Sequence, residues 1–165
     1  MSSTSREDLL IELITQVREE QEDVQAFDEE AARVLGVNLT DVRVLGILDR
    51  EGRLTASVLA EEAGLTTGSM TTLIDRLEVA GYVRRVRDKV DRRRVFVELT
   101  ALARERTGKI WGPLGEEALG IAEGYTDEEL RLLIDYLARG RNLLKRHKER
   151  VRAMGDHRPA QGGGG

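Results

Sequence analysis

The sequence predicts a mainly α-helical (α+β) fold, and three observations support this assignment. Apolar residues recur at helical spacing in six segments of the 165-residue chain. Residues 82–99 instead alternate apolar and polar side chains in two short runs, as a β-hairpin does. Capping side chains and glycines separate these segments. The predicted order is therefore one long helix, three short helices, a hairpin and two further helices.

The first helix is predicted over residues 6–35. Ser5 and Asp8 have the spacing of a capping box at its start, and Gly36 is a typical residue for its end. Apolar residues at three- and four-residue spacing give this helix one stripe, which is formed by Leu9, Leu10, Leu13, Ile14, Val17, Val24, Phe27, Ala31, Val34 and Leu35.

Three short helices follow, and each is predicted to begin at a capping threonine, namely Thr40, Thr55 and Thr66. Each ends at a glycine, which permits the backbone to leave the helix. Their inward-facing positions are Val44, Leu45, Ile47 and Leu48 in the second helix, Val58, Leu59, Ala60 and Ala63 in the third, and Met70, Leu73, Ile74 and Leu77 in the fourth.

The hairpin is predicted from strands over residues 82–87 and 94–99. Thr100 then begins a fifth helix, which we expect to bend near Pro113 because proline cannot donate the helical hydrogen bond. Thr126 and Glu129 have the spacing of a capping box for the sixth helix, whose apolar stripe is Leu130, Leu133, Ile134, Leu137 and Leu144.

The composition argues against several classes of protein. Apolar residues make up 40% of the chain and charged residues 34%, which is typical of a globular domain. The absence of cysteine excludes disulfides, thiolate catalysis and cysteine metal sites. Both histidines, His147 and His157, fall near the C-terminus, so neither a metal nor another cofactor is predicted. Because no signal peptide or membrane-spanning stretch is evident, we expect a cytoplasmic protein without a membrane partner.

Residues 56–75, ASVLAEEAGLTTGSMTTLID, have the pattern of a helix-turn-helix. Ala60 is small where two helices must approach closely, and Gly64 supplies the tight turn between them. The start of the second helix then presents small polar groups to a DNA major groove, at Thr66, Thr67, Gly68, Ser69, Thr72 and Arg76. Taken alone, the motif also fits an ordinary corner between two helices, with the hydroxyls acting only as caps.

Residues 84–94 concentrate positive charge in an acidic chain. They hold two acidic residues and seven basic ones, a net charge of +5 in a chain of −4; the basic residues are Arg84, Arg85, Arg87, Lys89, Arg92, Arg93 and Arg94. A solvated charge run is the simplest reading of this segment alone. A cationic hairpin directly after a helix-turn-helix is, however, the connectivity of a winged helix, whose arginines reach DNA phosphates. Asp88 and Asp91 are predicted to bend the turn through side-chain-to-backbone hydrogen bonds and to hold neighbouring arginines.

Residues 54–100 resemble the multiple-antibiotic-resistance regulator (MarR) family of bacterial repressors. The most specific matches are IDRLEVAGYV at 74–83 and DKVDRRRVFVELT at 88–100, which fit the family's Asp-x-x-Asp-x-Arg wing followed by Leu-Thr. The resemblance implies a winged helix-turn-helix regulator that binds a pseudo-palindrome in double-stranded DNA. It assigns DNA contacts to Arg93 in the wing and, in the recognition helix over residues 66–79, to Thr67, Ser69, Thr71, Thr72 and Arg76.

Two residues depart from the family pattern. Thr72 stands where many members carry arginine, which removes a long-range contact from the recognition helix. Lys89 stands where the wing often has proline, so this wing is expected to be more mobile.

The resemblance further implies a homodimer built by the first, fifth and sixth helices. The expected division of the chain is a disordered N-terminus (1–4), a dimerisation helix (5–38), a DNA-binding domain (39–99), further dimerisation helices (100–153) and a disordered tail (154–165). In a monomer too little covers the stripes of the first and sixth helices. The predicted interface residues are Leu9, Leu13, Val17, Leu130, Leu133, Ile134 and Leu137.

A site for a small aromatic or phenolic ligand is expected between the dimerisation helices and the winged helix. Family members commonly hold such ligands there. Phe27 and Trp111 are large rings on helices that should converge, and the predicted lining is Phe27, Ala31, Val44, Leu48 and Trp111. The alternative is that both rings only fill the core.

Two other functions fit the sequence less well. The stretch GKIWGPLG at 108–115 lacks the serine or threonine that a phosphate loop needs after Lys109, so no enzymatic activity is predicted. A winged-helix module for protein–protein interaction, with the basic wing docked on an acidic partner, is the alternative function. Exposed hydroxyls on the recognition helix argue against it, because protein docking favours aromatic or large apolar anchors.

Overall fold

A computed structural model describes residues 5–156 and confirms the mainly α-helical (α+β) class, with six helices and one three-stranded antiparallel sheet over that range. The helices are α1 (Arg6–Leu35), α2 (Leu39–Glu51), α3 (Ala56–Ala63), α4 (Thr67–Val79), α5 (Ala101–Ala122) and α6 (Asp127–Asp156). The strands are β1 (Leu54–Thr55), β2 (Val83–Arg87) and β3 (Val95–Leu99). The expected disorder of residues 1–4 and 157–165 falls outside the described residues. Residues 154–156, predicted as the start of the tail, are helical.

Local capping signals predicted most helix starts. The Ser5–Asp8 capping box opens α1, and Gly36 ends it in the left-handed conformation, at φ 70°. Thr55 and Thr66 cap α3 and α4, as expected. The capping box of Thr126 with Glu129 is also formed, because the Glu129 carboxylate accepts from the Thr126 backbone N–H at 2.8 Å.

The predicted cap of α2 was wrong. Asn38 begins this helix, while Thr40 lies in its first turn. The Asn38 side-chain oxygen accepts from the Asp41 N–H at 2.9 Å, and the Asp41 carboxylate accepts from the Asn38 N–H at 3.1 Å. This reciprocal pair satisfies two N–H groups that a cap at Thr40 would leave open, because the residue three positions after Thr40 is Arg43.

The hydrophobic core lies among α2, α3, α4 and the sheet. The predicted inward positions of these helices are buried, except for Val58, which is 41% exposed. Tyr82 is buried next to them, and its hydroxyl donates to the Leu35 carbonyl at 2.7 Å. This hydrogen bond ties the end of α1 to the start of the hairpin.

The sheet contains one strand that the sequence did not reveal. Strand β1 pairs with β3, with Leu54 opposite Val97, so the order is β1-β3-β2. Two residues are too few to show an alternating pattern, and β1 exists only through its pairing with β3. Strands β2 and β3 each begin one residue later than predicted.

The chain forms two compact units, the first ending at Pro113 and the second beginning at Leu114. Helix α5 continues through Pro113, and a bend at this proline stays a prediction. In the second unit α6 keeps much of its apolar stripe exposed, with Leu133 at 41%, Ile134 at 64% and Leu137 at 54%. None of the helices within residues 5–156 is both long and apolar enough to cross a membrane.

Candidate nucleic-acid interface

Helices α3 and α4 form the predicted helix-turn-helix. Gly64 ends α3 with φ 68°, a left-handed conformation that residues with a side chain rarely adopt. The Leu65 N–H then donates to the Ala60 carbonyl at 2.9 Å, which closes the turn. Because Ala60 is buried and small, α4 can pack closely across α3.

The start of α4 exposes a row of hydroxyl groups. Thr66 and Ser69 share a hydrogen bond of 2.8 Å between their hydroxyls. Thr71 and Thr72 donate to carbonyls one turn earlier, those of Thr67 and Gly68. A threonine hydroxyl that donates inward still accepts from outside, so these oxygens suit partners that carry N–H donors, such as the amino groups of adenine and cytosine.

Arg76, also predicted to face DNA, is held by a buried carboxylate. Its guanidinium binds Asp41 of α2 in a bidentate manner, with Nε–Oδ2 3.1 Å and Nη2–Oδ1 2.5 Å. Asp41 is completely buried, whereas the Arg76 side chain remains 48% exposed. The hydrogen bond to Asp41 raises the pKa of Arg76. Arg76 therefore fixes α4 to α2, while its contact with DNA stays a prediction.

Asp41 was missed by the sequence analysis. Its partner lies 35 residues away, so no local pattern joins the two. The available signal was an aspartate three residues after Asn38, which together form the capping box of α2. A carboxylate that both caps one helix and pairs with an arginine of another locks the position of both helices.

Two aspartates shape the tip of the hairpin. The Asp88 carboxylate accepts from the backbone N–H groups of Val90 at 2.8 Å and Asp91 at 2.9 Å. Asp91 in turn accepts from the Arg93 N–H at 3.0 Å. These are the side-chain-to-backbone hydrogen bonds expected for the pair. The bonds from Asp91 and Val90, helped by Arg53 and Arg94, lower the pKa of Asp88, so this carboxylate is charged at neutral pH.

The arginines nearest the base of the hairpin are paired with carboxylates. Arg84 binds Glu98 across the two strands at 2.6 Å. Arg85 binds Asp75 at 2.5 Å and also Glu78, both on α4. The hydrogen bond to Asp75, followed by that to Glu78, raises the pKa of Arg85. Much of the charge predicted for the wing is thus neutralised at its base.

The cations near the tip differ from those at the base. The side chains of Arg87, Lys89, Arg92 and Arg93 are exposed, and none forms an ion pair with a residue of the described range 5–156. We call these four residues the tip cations. Their positive charge faces solvent, as a phosphate-binding surface requires.

Arg94 has an aromatic partner instead. Its guanidinium lies 5.0 Å from the centre of the Phe96 ring, and that of Arg53 lies 4.7 Å from the same ring. Arg53 also approaches Asp88 at 3.8 Å. Sequence reasoning missed Arg53, which directly precedes β1 and becomes a neighbour of the wing only through β1–β3 pairing. Through these contacts Arg53, which precedes β1, stabilises the wing strand β3 and the turn at Asp88.

A cavity of about 710 Å³ opens in the first unit. Its lining comes from α1, α2 and α5 and comprises Asp28, Leu39, Val42, Arg43, Leu45, Gly46, Asp49, Arg104, Thr107, Gly108, Trp111 and Gly112. Its walls combine aliphatic and aromatic side chains with two arginines and two aspartates, so the formal charges of the lining cancel.

Only one of the five residues predicted for the ligand site lines this cavity, namely Trp111. Phe27 packs edge-on against that ring, with centroids 6.1 Å apart. Ala31, Val44 and Leu48 are buried and do not line it. On α2, Val44 and Leu48 belong to the hydrophobic core, whereas Val42, Arg43, Gly46 and Asp49 line the cavity. The prediction selected the core side of α2 because apolar spacing marks the core and not the cavity.

Within residues 5–156, no three His, Cys, Asp or Glu side chains come together in a way that could hold a metal ion.

Comparison with known proteins gives a consistent result. A model of the MarR family matches residues 35–94. The chain is similar to the HTH-type transcriptional regulator YcgE of Bacillus subtilis, named as uncharacterized, with 36% identity over 126 residues that cover 76% of this chain and 82% of YcgE.

Solved structures agree. NadR in complex with 4-hydroxyphenylacetate is 28% identical, with a TM-score of 0.58 over 84% of this chain and 96% of NadR. A mutant of MepR from S. aureus bound to an oligodeoxyribonucleotide is 18% identical, with a TM-score of 0.55 over 80% of this chain and 97% of MepR. At that identity the second likeness shows the fold alone.

Proposed function

The chain belongs to the MarR family of HTH-type transcriptional regulators, which are not enzymes, and from this premise we propose that it is a homodimeric bacterial repressor that binds a pseudo-palindromic operator in the cytoplasm. One observation carries the proposal. The hydroxyl-lined start of α4 is followed directly by a hairpin whose unpaired cations collect at the tip. A base-reading helix beside a phosphate-binding hairpin is what a DNA half-site requires.

Helix α4 and the hairpin are proposed to contact different parts of the DNA. Helix α4 acts as the recognition helix, with Thr67, Ser69 and Thr72 directed at base edges in the major groove. The hairpin acts as the wing, with the tip cations on the phosphates beside that groove. Arg76 contributes by holding α4 at a fixed angle to α2, because its guanidinium is bound to Asp41.

Exposed leucines support dimerisation. Leu9 in α1 is 54% exposed and Leu13 is 42% exposed, and the stripe of α6 is similarly open. Apolar stripes on long helices are unfavourable in water and fit a second copy of the chain. Two-fold symmetry would then set the half-sites about 10 bp apart, one turn of B-DNA.

Sedimentation with duplex DNA present and absent tests this proposal. Leu133→Asp places a charge in the stripe of α6 and should give a folded monomer that binds the operator weakly. Leu132→Asp is the matched control, because Leu132 is 68% exposed and lies away from that stripe; it should remain a dimer. A Leu133→Asp monomer that keeps full operator affinity would exclude the proposed dimeric mode.

The cavity beside Trp111 is proposed to bind a small aromatic anion, often phenolic, that releases DNA. Arg43 and Arg104 line the cavity and suit a carboxylate, and Trp111 suits a ring. NadR, a similar protein, was solved with 4-hydroxyphenylacetate. Helix α2 lines the cavity and also carries Asp41, which binds Arg76 of α4. A shift of α2 on ligand binding would therefore move the recognition helix.

Fluorescence of Trp111, the single tryptophan of the chain, gives a direct test. Titration with salicylate or 4-hydroxyphenylacetate should quench it, and saturating operator should weaken ligand binding. A coupling free energy of about 1–3 kcal/mol corresponds to roughly a 5- to 150-fold change, equal for both ligands by linkage. Identical titrations with and without operator would rule out the switch.

A competition experiment with DNA distinguishes the proposed function from the alternative, in which an acidic protein docks on the wing. Random duplex DNA should compete with operator, and its competition should weaken steeply as salt rises. No competition at any salt concentration would favour the protein-docking function instead.

A further inference from the structure

A second cationic segment lies in the C-terminal half of α6. Residues 139–152, RGRNLLKRHKERVR, hold seven basic residues and one acidic residue, a net charge of +6. The wing, residues 84–94, carries +5. Because the chain totals −4, everything outside these two segments sums to −15. The proposed DNA contacts of the recognition helix and wing make no use of this segment.

The segment is organised by helical spacing. Arg141, Lys145, Lys148 and Arg152 follow one another at intervals of four, three and four residues, so they lie along one face of α6. All four are exposed, and we call them the α6 cationic stripe. Lys145, Lys148 and Arg152 border a shallow depression of about 190 Å³ together with Glu149.

The stripe is not neutralised within the described residues 5–156, since none of its four members forms an ion pair there. Earlier in the same helix the pattern is different. Arg131 pairs with Asp127 at 3.5 Å, and Arg139 pairs with Asp135 at 2.7 Å. Like charges at three- and four-residue spacing repel one another and destabilise a helix, and an external polyanion relieves that repulsion.

The stripe continues a face of α6 that is apolar in the first half of the helix. Leu130, Ile134, Leu137 and Arg141 follow one another at intervals of four, three and four residues, and Ile134 and Leu137 are 64% and 54% exposed. A second copy of the chain packed on the first half of α6 would leave the cationic stripe, which lies in the second half, open to solvent. The two halves of one helix can therefore contact a protein partner and a polyanion.

We propose that the α6 cationic stripe is a second DNA-binding surface, which contacts phosphates without regard to base sequence. The inference rests on the proposed function, because its partner is the DNA that the winged helix binds. The stripe, eleven residues from end to end, spans about 16 Å at ~1.5 Å per residue. B-DNA carries one negative charge per about 1.7 Å of its axis, so several phosphates fall within that length.

Duplex DNA fits this surface better than an anionic membrane does. A helix that lies in a membrane interface inserts large apolar anchors, often tryptophan or phenylalanine. Residues 139–152 contain neither, and Gly140 and His147 interrupt the apolar side. The large apolar side chains of this segment are limited to two leucines and one valine beside seven basic residues, so positive charge dominates the surface.

The test compares two double variants of the full-length chain on the same helix. Lys145→Gln/Lys148→Gln removes two unpaired charges from the stripe, while Arg131→Gln/Arg139→Gln removes two paired charges outside it. Affinity for a random duplex is measured from low to physiological salt. Each lost phosphate contact lowers the slope of log K against log salt by ~0.9, so the stripe variant, which loses two charges, should lower it by about 2 per protomer. The control variant should leave the slope unchanged.

Two parallel measurements make the outcome decisive. Arg93→Ala, a wing variant, reports on the proposed function. If Arg93→Ala lowers the salt slope and both α6 variants keep it, the stripe proposal is overturned and the proposed function stands. If none of the three variants lowers the salt slope, the stripe proposal and the proposed function are both overturned.

Flotation with phosphatidylserine vesicles tests membrane binding as the other use of the stripe. If the stripe variant loses vesicle binding while its DNA salt slope is unchanged, the stripe proposal is overturned. Circular dichroism of each variant verifies that α6 is intact.

Discussion

The recognition helix and the wing are consecutive in the chain, yet they present opposite kinds of polar group. The start of α4 exposes neutral hydroxyls, four of which form local hydrogen bonds (Thr66, Ser69, Thr71 and Thr72), and its arginine is bound by Asp41. The wing exposes charge, and its cations are free only toward the tip. Sequence position alone therefore does not decide whether an arginine is available to bind DNA. The presence of a carboxylate within reach decides it.

This comparison has a physical basis. Phosphates require unpaired positive charge, and charge contributes affinity without base preference. Base edges require donors and acceptors held in fixed directions, which small hydroxyls on a rigid helix supply. An arginine anchored to a buried aspartate serves the second requirement by fixing the helix.

The largest effect is expected from Arg76→Ala. It leaves the buried Asp41 carboxylate with only its capping hydrogen bond, which should lower the free energy of unfolding by about 1–3 kcal/mol. This expected loss of unfolding free energy is smaller than for a fully buried ion pair, because about half of the Arg76 side chain is exposed to solvent. Urea denaturation measures it, with Arg87→Ala as a control that should stay within about 0.5 kcal/mol of the wild type. Equal stability of the two variants would mean that the ion pair does not hold α4.

Ser69→Ala and Thr72→Ala should change base preference. A correct base-edge contact contributes about 1–3 kcal/mol of discrimination against the wrong base. Selection of binding sites from random DNA should therefore return an altered consensus at one position of each half-site, with the salt dependence unchanged. If both variants select the wild-type consensus, the hydroxyls of α4 do not read bases.

Arg87→Ala and Arg85→Ala are a matched pair from one strand. Arg87 is unpaired within residues 5–156, whereas Arg85 is bound by Asp75 and Glu78. Removal of Arg87 should lower the salt slope of DNA binding by about 1 per protomer, and removal of Arg85 should lower it less. Equal losses would show that the carboxylates release Arg85 when DNA binds.

Local signals in the sequence predicted much of the fold. The capping boxes at Ser5 and Thr126 and the turn at Gly64 need only a few adjacent residues, so the chain shows them directly. The Asn38 cap was missed although it is also local, because Thr40, another residue type found at helix starts, lies only two positions away.

Features that depend on contacts distant in the chain were not predictable in this way. Strand β1 is too short to have a pattern, and the pair of Arg76 with Asp41 joins residues 35 positions apart. The predicted ligand site and the cavity share only Trp111 for a related reason. Apolar periodicity marked the core side of α2, at Val44 and Leu48, while the cavity is lined by another side that includes polar Arg43 and Asp49. The cationic wing was visible in the sequence, but the neutralisation of its base by α4 was not.

The salt dependence of DNA binding by Arg93→Ala tests directly whether the tip of the wing contacts phosphates. Arg93 is an exposed tip cation, and its backbone N–H is fixed by Asp91. Affinities for the operator and for an unrelated duplex are measured over a range of salt concentrations. Phosphate contact predicts that both fall by a similar factor and that each salt slope decreases by about 1 per protomer. An unchanged slope together with an altered base preference would show instead that the wing reads base sequence.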